Sequence, residues 1–199
     1  MRKLVAINQL TLDGVMQGPG GPEEDPRNGF NPGGWITGFG DDALFQAIGK
    51  TIAGKFDMLL GRRTYEVFAG YWPNQSNGIA TAFNKATKYV VTLTLNQLDW
   101  NKSLKIGGDV VDEVRGLKAS DGPELHLWGS HQLLQTLIPA ELIDEYIIMV
   151  YPVVIGRGKR LFENGVPPSR LALVETLSTP NGVLYSTMPP ASTPATSRS

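Results

Sequence analysis

The sequence predicts an α/β protein with three layers, α/β/α, built on a mixed, mostly parallel sheet that ends in an antiparallel hairpin. Three observations carry this. Short β-prone apolar runs alternate with segments of helical pattern. The run Ile143 to Val150 is long and nearly continuous in apolar residues, as strands covered on both faces are. An Asn181-Gly182 pair separates the last two β-prone runs, a strong hairpin signal.

In chain order, Lys3 to Leu10 reads as a first strand running into the turn Leu12-Asp13-Gly14. From Gly18 to Gly34 the chain is rich in glycine and proline, too irregular for helix or strand and long for a connection, so a functional loop that orders around a ligand is expected. Asp41 to Ile48 is a helix with acidic residues in its first turn, where the dipole favours them. Asp57 to Gly61 is a short buried strand, Arg62 to Ala69 a helix, Gly70 to Gly78 a loop and Tyr89 to Leu93 a strand. A helix over Val110 to Leu117 leads to strand Glu124 to Trp128, and helix Ser130 to Leu137 stops before Pro139. Leu171 to Thr176 and Val183 to Met188 flank the hairpin turn.

A chain of 199 residues, 41% hydrophobic, suffices for one well-buried core, so residues 1–188 are expected to form a single domain. Residues 189–199 are a Pro/Ser/Thr-rich tail with little to bury, expected to be disordered. Eighteen basic and nineteen acidic residues nearly cancel, which argues against nucleic acid and membrane surfaces as partners. The absence of cysteine excludes disulfides and thiolate chemistry, and any redox step must borrow a cofactor. His126 and His131 lack a thiolate partner, and no metal site is expected. With no signal-peptide core and no apolar stretch of membrane-spanning length, the expected location is the cytoplasm.

Two strand-glycine-helix junctions concentrate the chemistry. Gly61-Arg62-Arg63-Thr64-Tyr65-Glu66 places two guanidinium groups and a hydroxyl at a helix start, where unpaired amides and the dipole favour an anion. The competing explanation is an Arg62–Glu66 surface pair one helical turn apart. Trp128-Gly129-Ser130 is a second such junction, with Ser130 as N-cap; an ordinary capped helix would look the same. Both junctions fall at carboxyl ends of parallel strands, where open α/β sheets bind ligands.

The Gly61–Glu66 segment resembles the Gly-Arg-x-Thr-aromatic-Glu motif of the dihydrofolate reductase-like superfamily, and Thr11-Leu12-Asp13-Gly14 is similar to the Ser-Leu-Asp-Gly of its riboflavin-type reductase branch. Trp128-Gly129-Ser130 resembles the glycine turn near that branch's cofactor, and Pro152 to Phe162 resembles its Pro-Val-x-Leu-Gly-x-Gly-x-x-Leu-Phe signature. The resemblance implies NADPH across the strand ends, a small-molecule substrate and a homodimer. Carried over by position, Arg62 meets the 2′-phosphate, and Arg63 and Thr64 the phosphates. Thr92 and Leu93 flank the adenosine, Gly61 closes the strand, Gly129 and Ser130 take the pyrophosphate, and Val15 and Met16 lie by the nicotinamide. The catalytic candidates are Asp42, Asp13 and Trp35, by loose parallel with the tryptophan and acid of the folate enzymes. The activity implied is that of a ribosylaminopyrimidine reductase. A dihydrofolate reductase and a non-catalytic NADPH-binding module remain as alternatives.

Overall fold

The computed structural model describes residues 1–163 and 165–191. Eight strands form one sheet: β1 (Leu4–Thr11), β2 (Phe56–Gly61), β3 (Lys88–Val91), β4 (Ser103–Ile106), β5 (Glu124–Trp128), β6 (Glu145–Tyr151), β7 (Glu175–Ser178) and β8 (Leu184–Met188). Their order across the sheet is β4-β3-β2-β5-β1-β6-β8-β7. The first six strands run parallel, and β8 and β7 are antiparallel to their neighbours, as the sequence predicts.

Alternation along each strand divides the core. Leu4, Ala6 and Leu10 of β1, Leu125 and Leu127 of β5, and Tyr146 and Ile148 of β6 pack on one face against α4 (Val110–Ala119) and α5 (His131–Leu137). Val5 and Ile7 of β1 and Ile147 and Met149 of β6 pack on the other against α1 (Asp42–Thr51). On that same face Met58 and Leu60 meet Tyr65 of α2 (Arg62–Tyr71) and Phe83 of α3 (Gly78–Lys85). Three helices begin on a side-chain cap that satisfies orphan amides. Asp41 accepts from Leu44 N at 2.8 Å, Asn77 from Ala80 N at 2.9 Å, and Asp109 from Val111 N and Asp112 N at 3.0 Å.

The structure departs from the sequence reading at several points, among them β3, which ends at Val91 rather than Leu93, and β6, which begins at Glu145 rather than Ile143. Helix α3 and strand β4 were not expected. The helix is eight residues with only Ala80 and Phe83 buried, and the strand is an edge with only Ile106 buried, so neither presents a full periodic pattern. Helix α2 runs two residues past Ala69. Strand β7 begins at Glu175 rather than Leu171, because the turn Thr179–Gly182 sets the register Leu177 to Tyr185. Finally, the start of the expected tail is anchored. Ala172 N donates to Pro189 O at 2.9 Å and Ala191 N to Arg170 O at 2.8 Å. The rest of the expected disordered segment, 192–199, lies outside the described residues. Among the described residues no helix is long and apolar enough to cross a membrane.

Candidate functional site

Six parallel strands bring six carboxyl ends to one edge of the sheet, and the sequence-predicted junctions meet there. Pairing of β1 with β5 stops at Ile7 and Trp128, whereas β1 continues to Thr11 against β6. The two central strands therefore part at Asn8, and the β5 chain turns away through Gly129 and Ser130.

A hydrogen-bonded clasp ties this turn to the β2–α2 junction. Gly61 N donates to Ser130 Oγ at 2.9 Å, Ser130 N to Thr64 Oγ1 at 2.9 Å, and Ser130 Oγ to Trp128 O at 3.0 Å. Gly129 and Ser130 are both left-handed, at φ +53° and +56°, and Ser130 makes no side-chain cap. A side-chain-bearing residue in that conformation costs roughly 1–2 kcal/mol, and such strain gathers at functional sites. The expectation of Ser130 as N-cap is thus corrected: its hydroxyl is spent on holding two loops together.

Arg62 and Arg63 stand half-exposed on the same edge. Arg62 makes the anticipated pair with Glu66, 2.9 Å from Nε, and also donates through Nη1 to Thr94 Oγ1 at 2.6 Å. The second bond draws it toward the end of β3. There Thr92 Oγ1 accepts from Thr94 N at 3.2 Å and Leu95 N at 3.1 Å, while Leu93 projects into solvent. No side chain caps α2, so its first amides face this edge.

Past β1, the chain around Val15 and Met16 pairs with residues 159–161. Val15 bridges Arg160, and Met16 N donates to Lys159 O at 2.8 Å. Gly158 is required here: its φ is +117°, and a Cβ would lie 2.8 Å from both Phe30 and Val15. The Asp13 carboxylate accepts from Thr11 Oγ1 at 2.7 Å, Gly156 N at 2.8 Å and Ile155 N at 3.2 Å. Burial opposes ionisation, but these bonds prevail and hold its pKa at about 2. A carboxylate so occupied has no proton to give, and the geometry makes Asp13 a clamp between two loops.

The other two catalytic candidates, Asp42 and Trp35, lie apart from Asp13 in their surroundings. Asp42 is exposed in the first turn of α1, and its neighbour Asp41 caps that helix and accepts from Asn181 N at 3.0 Å. Trp35 is buried, donating to Gln17 O at 2.8 Å and packing edge-on to Tyr151 at 5.5 Å. The long loop is tied together by polar contacts. Gln17 Nε2 donates to Asp25 O and Arg27 O at 2.9 and 3.1 Å, and Lys159 Nζ reaches Asp25 at 2.7 Å. Burial would raise the Asp25 carboxyl, but Arg27 and Lys159 outweigh it and keep its pKa at about 2.

Three residues at the edge carry buried polar atoms with no partner: both amide atoms of Asn8, Trp128 Nε1 and His131 Nδ1. Unpaired buried groups are costly, and a ligand with amide and phosphate groups would supply partners. The clasped turn, the free guanidinium donors and these orphaned atoms therefore fit a dinucleotide. No group of metal-ligating side chains exists among the described residues. Asn8 and Trp128 were missed in the sequence, although an asparagine at a core-facing position of an apolar strand was the available signal.

Comparison with known proteins decides the family. The family model for the RibD C-terminal domain matches residues 2–185. The chain belongs to that family. It is a family of reductases, and an oxidoreductase activity follows at that coarse level. The chain is 29% identical over 192 residues to the uncharacterised protein YyaP of Bacillus subtilis strain 168, covering 92% of each. Among solved structures it resembles a candidate riboflavin biosynthesis protein from Shewanella sp. PV-4, with TM-score 0.69, 17% identity, and 96% and 99% of the two chains covered. A pyrimidine reductase-like protein from Corynebacterium diphtheriae gives TM-score 0.65 at 11% identity, covering 96% and 93%. Dihydrofolate reductase from Enterococcus faecalis, complexed with NADP(H), gives TM-score 0.61 at 15% identity, covering 96% and 97%. These likenesses establish the dihydrofolate reductase-like fold of this RibD-type domain.

Proposed function

We propose that this protein is an NADPH-dependent reductase acting on a small heterocyclic or imine-like substrate, most like 5-amino-6-(5-phosphoribosylamino)uracil, in a single domain spanning 1–188. The observation that carries the reading is the clasp between the Gly61–Thr64 and Trp128–Ser130 junctions at the parallel-strand edge. In this reading Arg62 meets the 2′-phosphate, Arg63 and Thr64 the remaining phosphates, and Thr92 and Leu93 the adenosine. The left-handed turn at Gly129 and Ser130 takes the pyrophosphate against its backbone, where glycine leaves room for close approach; its own amides are engaged by Ile7 O and Thr64 Oγ1, and Gly61 closes the clasp behind it. Val15 and Met16 wall the nicotinamide, held in place by their pairing with Lys159 and Arg160.

Held by these residues, NADPH would supply the hydride for the substrate's unsaturated carbon. The adjacent nitrogen then needs a proton. Asp13 is clamped, Asp41 caps α1 and Asp42 points to solvent, so the proton comes from water. The test is NADPH oxidation with the ribosylaminopyrimidine and with dihydrofolate in parallel. Oxidation with the pyrimidine alone is expected. Oxidation only with dihydrofolate would transfer the assignment to the folate reaction, and tight NADPH binding without oxidation of either would leave a binding module.

The chain is also proposed to act as a cytoplasmic homodimer. Strand β6 lies between β1 and β8 and is covered, so it cannot serve as the contact. The outer hairpin can: β7 is an edge strand, and Leu173, Val174 and Leu184 beside it are 62%, 68% and 46% exposed. A dimer mass by light scattering at micromolar concentration is expected, with Val174→Lys returning a monomer. A monomeric mass for the unaltered protein sinks the idea.

A further inference from the structure

We infer that the Asn8 side-chain amide is a specificity-determining contact for the carboxamide of the nicotinamide ring, a step that rests on the dinucleotide reading above. Asn8 is 2% exposed, and neither its Nδ2 nor its Oδ1 has a partner. Alternation with Leu4, Ala6 and Leu10 sets its side chain on the α5 face of the sheet, in an otherwise apolar layer. A primary amide there forfeits two or more hydrogen bonds to water, so an apolar residue of the same size would make a better core.

Its position explains why the amide is kept. Asn8 is the first residue of β1 beyond the last β5 pair, Ile7 with Trp128, while it remains paired to Ile148 of β6 on its other side. It therefore stands where the central strands part, beside Gly129, whose amide reaches back to Ile7 O at 3.4 Å. The left-handed φ of Gly129 carries the chain away from β1. A planar group reaching in where the strands part would find a donor and an acceptor side by side on the Asn8 amide. A carboxamide presents the complementary acceptor and donor, which satisfies both orphaned atoms at once. The phosphates offer acceptors only, and the adenine, which does carry a donor beside an acceptor, lies in this reading beyond β3 at Thr92 and Leu93, so the carboxamide is the group left for Asn8.

The test uses Asn8→Leu, nearly equal in size, with Asn8→Ala as a second variant, and titrates each with NADPH and with 2′,5′-ADP, which lacks the nicotinamide half. NADPH affinity should fall tenfold or more in both variants, while 2′,5′-ADP binds as in the unaltered protein. The ligand-free melting temperature of Asn8→Leu should hold or rise, since an unpaired buried amide has been removed. Unchanged NADPH affinity in both variants, or equal losses for both ligands, overturns the assignment. If the unaltered protein binds neither ligand, the dinucleotide reading itself fails, an outcome distinct from loss of the Asn8 contact alone.

Discussion

Replacing Arg62 by alanine is expected to weaken NADPH binding by about 1.5–3 kcal/mol, the worth of one charge-assisted contact and roughly one to two powers of ten in affinity. NADH, which lacks the 2′-phosphate, should bind almost as before. The Glu66 pair does not compete with this. Arg62 is 51% exposed, and exposed ion pairs contribute only about 0–1 kcal/mol. The guanidinium has five donors, of which Glu66 takes the one on Nε and Thr94 one on Nη1. Donors remain for a phosphate, and the Thr94 bond already aims the group toward the turn after β3. Titration of both cofactors by tryptophan fluorescence separates the outcomes. Loss confined to NADPH supports the contact; equal losses would indicate general damage, and no loss would mean that Arg62 only decorates the surface.

Most of the strands, the hairpin and most of the helices were legible because their signals are local. Asn181-Gly182 forces a turn whatever surrounds it, and the apolar run of β6 has few alternatives to a covered strand. What was missed depends on partners distant in sequence. Ser130 looks like a helix cap, yet its bonds run to Gly61 and Thr64, some sixty-odd positions away. Asp13 looks like a catalytic acid or a turn residue, yet besides the local Thr11 it holds Ile155 and Gly156, 142 and 143 positions away. The glycine-rich loop reads as formless, but Gln17 and the Asp25–Lys159 pair lock it from within and from across the sheet. The orphaned atoms of Asn8 and Trp128 are the extreme case, since an unmet hydrogen bond shows only when every neighbour is placed.

Away from the site, Lys88 is expected to govern how stability responds to alkali. It opens β3 with no solvent exposure and no carboxylate partner among the described residues. Its Nζ donates to Asn84 O at 3.2 Å and Asn101 O at 3.1 Å, and lies 4.2 Å from the centre of the Trp100 ring. Burial, with a smaller push from the charge of Lys102, lowers its pKa from 10.5 to about 8. Between those values the unfolded chain holds a proton that the folded protein has released, so stability rises with pH. The full shift is worth on the order of 3 kcal/mol. Tyr146 and Tyr151 then reverse the slope. Burial raises each to about 12 from 10.0, so above pH 10 the unfolded chain loses phenolic protons first and folding weakens. Urea midpoints of the unaltered protein should therefore climb from pH 8 toward pH 10 and fall beyond, while Lys88→Met, which has no charge to release, stays level before the same fall. A flat midpoint in the unaltered protein over that first interval would show that Lys88 keeps its proton when folded, with Trp100 and the two carbonyls sufficing to hold the charge.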